Sequence, residues 1–219
     1  MTTGVVYRMI TLWWSRVDHD VAAVSRPLSE GERRHVASIV DLPTRMSQAH
    51  SYVMRRHVLG RRLGLEPGAI KFKRRCTRCG SLSHGRPSLA NEDARAISFS
   101  VSHSATHVVV AVADVPLGVD VEVQRSNEVW AEVRPLVSHP RDRVCSDLHR
   151  WTGKEAALKL LGVGLAHPMA EVCLEGCRWR AGLPLEPSTG YVTWHPLGGR
   201  VLASVASMTT ARVEARRWP

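Results

Sequence analysis

Three carboxylates fall in two short segments of the chain. Asp120 and Glu122 stand in Gly118-Val119-Asp120-Val121-Glu122, and Glu155 stands in Trp151-Thr152-Gly153-Lys154-Glu155-Ala156-Ala157-Leu158-Lys159. A strand alternates its side chains between faces, so Asp120 and Glu122 point the same way, with Val119, Val121 and Val123 buried behind them. Two carboxylates so close repel unless a cation, or an Arg or Lys, neutralises them. Mg²⁺ suits such a pair, because it takes a few carboxylates while keeping waters and substrate phosphate oxygens. A solvated strand face with salt bridges suits the same spacing. On a helix, Trp151, Glu155 and Lys159 stand one above another at i, i+4 and i+8, with Ala157, Leu160 and Leu161 facing inward. Glu155 and Lys159 taken alone make an ordinary i,i+4 ion pair, worth about a few tenths of a kcal/mol.

These acids sit in a basic protein. The 219 residues hold 30 Lys and Arg against 20 Asp and Glu, a formal net charge of +10. That balance favours polyanionic partners: nucleic acid, phosphorylated cofactors, acidic proteins or anionic membranes. Met1 to Trp14 lacks the basic start, long apolar run and small-residue cleavage site of a secretory signal. No apolar stretch approaches the length of a membrane span. Five cysteines, an odd number in a chain without an export signal, read as reduced thiols. A soluble, cytoplasmic protein is expected.

The elements that must position the acids are legible in outline. Ser29-Glu30-Gly31-Glu32 opens a helix with Val36, Ile39 and Val40 at helical spacing. A second helix carries Val53, Val58 and Leu59, and Gly64 and Pro67-Gly68 stop it. Ile70 to Lys73 alternates like a short strand, and Cys76 to Pro87 reads as a loop. Ile97–Val101, the β-branched Val108–Val112 and Leu117–Val123 read as strands, the last two separated by the turn Asp114-Val115-Pro116. Ser126 to Leu148 reads as helix interrupted at Pro135 and at His139-Pro140. Helix resumes over Trp151–Leu161 and ends at Gly162 and Gly164. Glu171–Leu174, Gly190–His195 and Val201–Ser207 read as antiparallel strands. Helix followed by strands thus occurs twice, which favours α+β over a doubly wound parallel sheet.

Four motifs now stand in order. Gly85-Arg86-Pro87 and Ser102-His103-Ser104 precede Gly118-Val119-Asp120-Val121-Glu122. Trp151-x-x-Lys154-Glu155-Ala156-x-x-Lys159 follows, trailed by Gly162-Val163-Gly164-Leu165. From about Leu63 to Leu165 the chain resembles the 4′-phosphopantetheinyl transferases of the larger, monomeric, surfactin-synthetase-activating type. The resemblance implies a pseudo-dimeric α+β fold of two similar subdomains, each a small antiparallel sheet packed with a long helix. Residues 1–113 would bind the nucleotide end of coenzyme A and residues 114–219 the metal and pyrophosphate. It implies transfer of the 4′-phosphopantetheine arm of coenzyme A to a serine of an apo acyl or peptidyl carrier protein, releasing adenosine 3′,5′-bisphosphate. By similarity, Asp120, Glu122 and Glu155 would hold Mg²⁺ on the pyrophosphate. Glu155 would accept the serine proton, directly or through a metal-bound water, and Lys159 would contact the pyrophosphate. Arg86, Ser102 and His103 match positions that bind the nucleotide end, including its 3′-phosphate.

The helix carrying Arg55, Arg56, Arg61 and Arg62 lies where such proteins set basic residues against that 3′-phosphate. The local match is loose, since Ser51-Tyr52 stands near the usual arginine. Arg55 or Arg56 would substitute for it, or the face is simply solvated. The partner implied is a carrier domain of a polyketide, non-ribosomal peptide or fatty-acid synthase, with no nucleic acid and no membrane. A rival class is a basic nucleic-acid-binding protein built around Cys76-x-x-Cys79-Gly-x-x-x-His84. That loop offers half a zinc site, without a second C-x-x-C pair among Cys145, Cys173 and Cys177. The seven tryptophans are scattered and form no aromatic-plus-basic module.

Overall fold

The computed structural model describes residues 8–17, 27–75, 79–81, 85–90, 96–164, 167–182 and 188–219. Helix α1 (Glu30–Ser38) starts where its sequence signals it. The Ser29 hydroxyl accepts the Glu32 N–H, and the Glu32 carboxylate accepts the Ser29 N–H at 2.7 Å, a reciprocal cap. Helix α2 (Leu42–Leu63) is capped by Asp41, which accepts the Thr44 N–H at 2.9 Å, and ends on Gly64 at φ 66°. A left-handed residue of this kind closes a helix with least strain when it is glycine.

Glu32 has a second duty that corrects the reading of Arg55 and Arg56 as part of a solvated basic face. Its carboxylate accepts from Arg55 and from Arg56, the latter at 2.7 and 2.8 Å. Both arginines are buried. Arg56 also donates to the carbonyls of Pro67 and Ile70, and the Arg55 guanidinium lies 4.3 Å from the rings of Tyr52 and Phe72. The two charges go inside because one acid, two carbonyls and two aromatic faces replace the water they lose.

The strands form two main sheets and a ribbon. In the first sheet the order is β11 (Ala211–Arg217), β1 (Arg8–Arg16), β5 (His107–Ala113), β4 (Ser98–Ser104). Strand β1 is antiparallel to β5 and parallel to β11. The second sheet is antiparallel, in the order β6 (Leu117–Val123), β10 (Val201–Ser207), β9 (Ser188–Pro196), β8 (Arg178–Ala181), β7 (Val172–Glu175). Strands β2 (Phe72–Arg75) and β3 (Arg86–Leu89) pair with each other. Helices α3 (Asn127–Val137) and α4 (Asp147–Leu161) lie between β6 and β7 in the chain. The fold is α+β.

Burial shows the layers. Val53, Met54 and Leu59 of α2 pack with Phe99, Val108 and Val110 on one face of the first sheet. Ile10, Leu12, Val109 and Ala111 on its other face meet Leu117, Val119, Val121, Ala203 and Val205 of the second sheet. Ala156, Leu158 and Leu160 of α4 pack with Leu174, Trp179 and Val192 on the far side. The order is helix, sheet, sheet, helix.

Several elements differ from the sequence reading. Pro135 lies inside α3 instead of breaking it, and α4 begins at Asp147, where the Ser146 hydroxyl accepts the His149 N–H. Arg86 and Pro87, expected at the end of a loop, open strand β3. Strand β11 returns to the first sheet although it lies in the 114–219 segment.

Replacing Glu32 by Ala strands two buried guanidinium groups, and such a loss costs about 3–5 kcal/mol. Urea unfolding should show that fall. Burial would raise the Glu32 pKa, but the hydrogen bonds from Arg56, the Ser29 N–H and Arg55 hold it below its usual 4.5. Its stabilisation is therefore complete above pH 4.5 and disappears as the pH falls below it.

Candidate active site

Strand β4 reads Ser98-Phe99-Ser100-Val101-Ser102-His103-Ser104, so alternation puts four serines on one face. Phe99 and Val101 face the α2 core. The serine face meets β6. Ser100 Oγ accepts the Val119 N–H at 3.1 Å, Ser102 Oγ donates to Asp120 Oδ1 at 2.8 Å, and Ser104 Oγ donates to Glu122. A hydroxyl seam thus joins the edge of one sheet to the edge of the other.

Two further residues bring α4 to this seam. Gly118 lies against the helix: a Cβ there would collide with the Ala156 carbonyl and stand 2.5 Å from the Leu160 amide nitrogen. Arg86 donates to the carbonyls of Lys159 (3.3 Å) and Leu160 (3.0 Å) at the end of α4. Its other arm reaches the carbonyls of Phe99 (3.2 Å) and Leu117 (2.8 Å). The last carbonyls of a helix lack intrahelical partners and carry its negative dipole end, so a guanidinium suits them. The spacing of the acids alone gives Gly118 no role. The signal for one was the missing side chain directly before the acids.

The acids converge from β6 and α4. Asp120, Glu122 and Glu155 are all buried. Lys159 donates to Asp120 Oδ1 at 2.7 Å and to Ser102 Oγ at 2.8 Å, so its ion pair crosses to the strand instead of joining Glu155 along the helix. Burial raises the Asp120 pKa against the pull of Lys159 and Ser102. Burial, then the neighbouring Asp120 charge, push Glu155 to about 7. Glu122 is tied down: Oε1 accepts from Ser104 and from the Val123 N–H (2.9 Å), and Oε2 from Arg125 (3.1 Å). Asp120 Oδ2 is buried without a hydrogen-bond partner, and among the described residues Glu155 makes no hydrogen bond or ion pair.

Those unmatched oxygens decide whether a hard dication fits. Carboxylate oxygens in a buried cluster, one orphaned and one carboxyl held partly protonated, are the donor chemistry Mg²⁺ takes. The three side chains do not close into a tight triad. Among the described residues, only His139, Asp142 and Cys173 bring three such donor atoms within 4.8 Å of one another. The Lys159 ammonium on Asp120 and the Ser104–Arg125 hold on Glu122 account for the wider spacing. The His139 cluster is itself structural. Asp142 already accepts from Lys154 (2.7 Å), Arg150 (3.1 Å) and the N–H groups of His139 and Leu174 (2.9 Å each). Lys154 is fully buried, and α4 is covered nearly all round rather than on one face.

Of the remaining site residues, Ser102 and His103 lie at the seam. His103 Nε2 faces Gln48 Oε1 of α2 at 3.3 Å. Burial and then the Lys159 charge lower the His103 pKa, so the ring is neutral at pH 7. Arg55 and Arg56 are not brought to the acids; they stay with Glu32. Cys76, His84 and Leu165 lie outside the described residues, and Cys79 is exposed.

No protein-family model matches the chain. It is 26% identical over 168 residues to a 4′-phosphopantetheinyl transferase of Bacillus subtilis, covering 67% of this chain and 70% of that protein. It is 33% identical over 81 residues to 4′-phosphopantetheinyl transferase psf-1 of Bacillus pumilus, covering 33% of this chain and 35% of that protein. The chain is similar to 4′-phosphopantetheinyl transferases.

Two measurements test the geometry. Gly118→Ala forces α4 off β6, an overpacking that costs about 1–3 kcal/mol; thermal unfolding should show it. Glu155 is protonated more readily folded than unfolded, so its contribution is favourable below pH 4.5 and is lost as the pH rises towards about 7. Without divalent cations, Glu155→Gln should therefore be more stable than the parent at pH 8, by about 3 kcal/mol, and equal to it near pH 4.

Proposed function

We propose that the protein transfers the 4′-phosphopantetheine arm of coenzyme A to a serine of an apo acyl or peptidyl carrier protein, releasing adenosine 3′,5′-bisphosphate. The observation that carries this reading is the seam itself. A buried carboxyl near neutrality, a carboxylate with an unpaired oxygen and a lysine ammonium converge where two sheets meet. The similarity to two proteins named 4′-phosphopantetheinyl transferase supplies the substrate class.

The roles follow from the chemistry of each group. The carrier serine oxygen forms a bond to the phosphorus on the pantetheine side of the pyrophosphate. The bond from that phosphorus to the bridging oxygen breaks, and adenosine 3′,5′-bisphosphate takes the electron pair. A serine hydroxyl attacks well only as its proton leaves, and Glu155, unpaired among the described residues and close to neutrality, is suited to take it. Lys159 neutralises Asp120 in the resting protein and can turn the same ammonium to the pyrophosphate. Asp120, Glu122 and Glu155 would hold Mg²⁺. When bound, the ion offsets charge on the attacked phosphorus and on the leaving phosphate. His103 and Ser102 would meet the nucleotide end of coenzyme A, and an arriving phosphate would favour protonation of the ring. Arg86, with its donors on four main-chain carbonyls, contributes by fixing the end of α4 beside β4 and β6. The net charge of +10 would steer an acidic carrier to the surface. We place the protein in the cytoplasm as a monomer acting on synthase carrier domains.

The test is direct. Incubated with apo carrier protein, coenzyme A and Mg²⁺, the protein should add one phosphopantetheinyl group, detected by intact-protein mass spectrometry. Failure with carriers of all three synthase types would overturn the reading. Glu155→Gln and Asp120→Asn should each lower turnover by about 10²-fold or more, the scale of a lost general base or charge stabiliser. Turnover should rise with pH through about 7 as Glu155 loses its proton, and Mg²⁺ should move that rise to lower pH.

A further inference from the structure

The C-terminal end of α2 leaves part of the first sheet uncovered. A groove of about 350 Å³ opens there, floored by Met9 and Trp13 of β1 and Val112 of β5. Arg61 and Arg62 of α2 and Arg216 of β11 line it. The Arg61 and Arg216 guanidinium groups lie 5.9 and 5.7 Å from the centre of the Trp13 ring. Arg216 has an acid partner, Glu214 at 2.8 Å. Arg61 and Arg62 are exposed, and among the described residues neither makes an ion pair.

Two arginines in the last turn of a helix are ordinary, because they complement its dipole. Arg61 and Arg216 flanking one indole, with Arg62 lining the same groove above an apolar floor, are not explained that way. Like charges gathered at one place raise each other's free energy, and a bound anion removes that cost. Guanidinium groups grip a phosphate through paired N–H donors, whereas the half-buried Trp13 face and the Met9–Val112 floor suit a flat ring. We propose that this groove binds a phosphate monoester carried directly on an aromatic ring.

The groove is separate from the candidate active site. His103 meets α2 at Gln48, and Arg61 lies thirteen residues further along the same helix, about 20 Å at 1.5 Å per residue. The first sheet has β4 at one edge, by the acids, and β11 at the other, by the groove. The inference does not depend on the transferase reading.

The tryptophan indole N–H signals of the ¹⁵N-labelled full chain provide the readout, with Trp13 assigned from the spectrum of Trp13→Phe. Phenyl phosphate is the probe. It should shift the Trp13 signal saturably, and should bind more tightly than inorganic phosphate. The Arg61→Gln/Arg62→Gln variant should bind phenyl phosphate at least about tenfold more weakly, the scale of losing charge-assisted hydrogen bonds. Excess coenzyme A should leave the shifted Trp13 signal in place. An unmoved Trp13 signal, equal affinity for inorganic phosphate, or equal affinity in the double variant would each overturn the proposal. Displacement by coenzyme A would overturn it too, by making the groove part of the coenzyme's own site.

Discussion

The ion pair between Lys159 and Asp120 is the contact on which the arrangement of this molecule turns. Each partner comes from a different element, and Ser102 from the opposing sheet bonds to both. A carboxylate as buried as Asp120 is costly unless a cation and hydrogen bonds compensate it. Lys159 and Ser102 supply that compensation to one oxygen only. The other is left over, beside a second buried carboxyl with no partner among the described residues. Compensation that stops halfway is what separates this cluster from the Asp142 network on the other side of α4. There both carboxylate oxygens are filled by lysine, arginine and backbone N–H groups. One acid is a rivet and the other is poised to accept something.

Other features serve that pair. Gly118 lets α4 descend onto β6, Arg86 ties the end of the helix to main-chain carbonyls of two strands, and the serines of β4 meet the acids of β6. Lys154, one residue before Glu155, is bound on the far side of the helix to Asp142 and the Val137 carbonyl. The helix is thereby held from both sides, which fixes the rotation that turns Glu155 inward.

Much of this was legible in the sequence because it follows from alternation and capping. Asp120 and Glu122 share a face as period two requires, and Ser29, Gly64 and Gly162 bound helices where their chemistry says they should. Strand β1 was not legible: it packs on both faces, Ile10 and Leu12 toward the second sheet and Trp13 toward α2, so its apolar residues do not alternate. Strand β11 failed for the opposite reason, since an exposed edge rich in arginine reads as loop. The pairing choices of the site were invisible too. Glu155 and Lys159 have ideal helical spacing, but the ammonium goes across to the Asp120 carboxylate on β6, although Glu155 is buried as well. Arg55 and Arg56 looked solvated because their partner, Glu32, is more than twenty residues away in sequence.

The return of β11 to β1 sets an order on the birth of the molecule. Residues 8–16 find their parallel neighbour only at 211–217, near the opposite end of the chain. Contacts so distant in sequence close late, because the loop entropy must be met before any pairing repays it. During synthesis, β1 can dock on β5 well before β11 has emerged. Until then its tryptophan-rich outer edge stands bare, an open template for another strand. The interval between those two events is when a nascent chain of this fold is most exposed to mispairing and most in need of a chaperone.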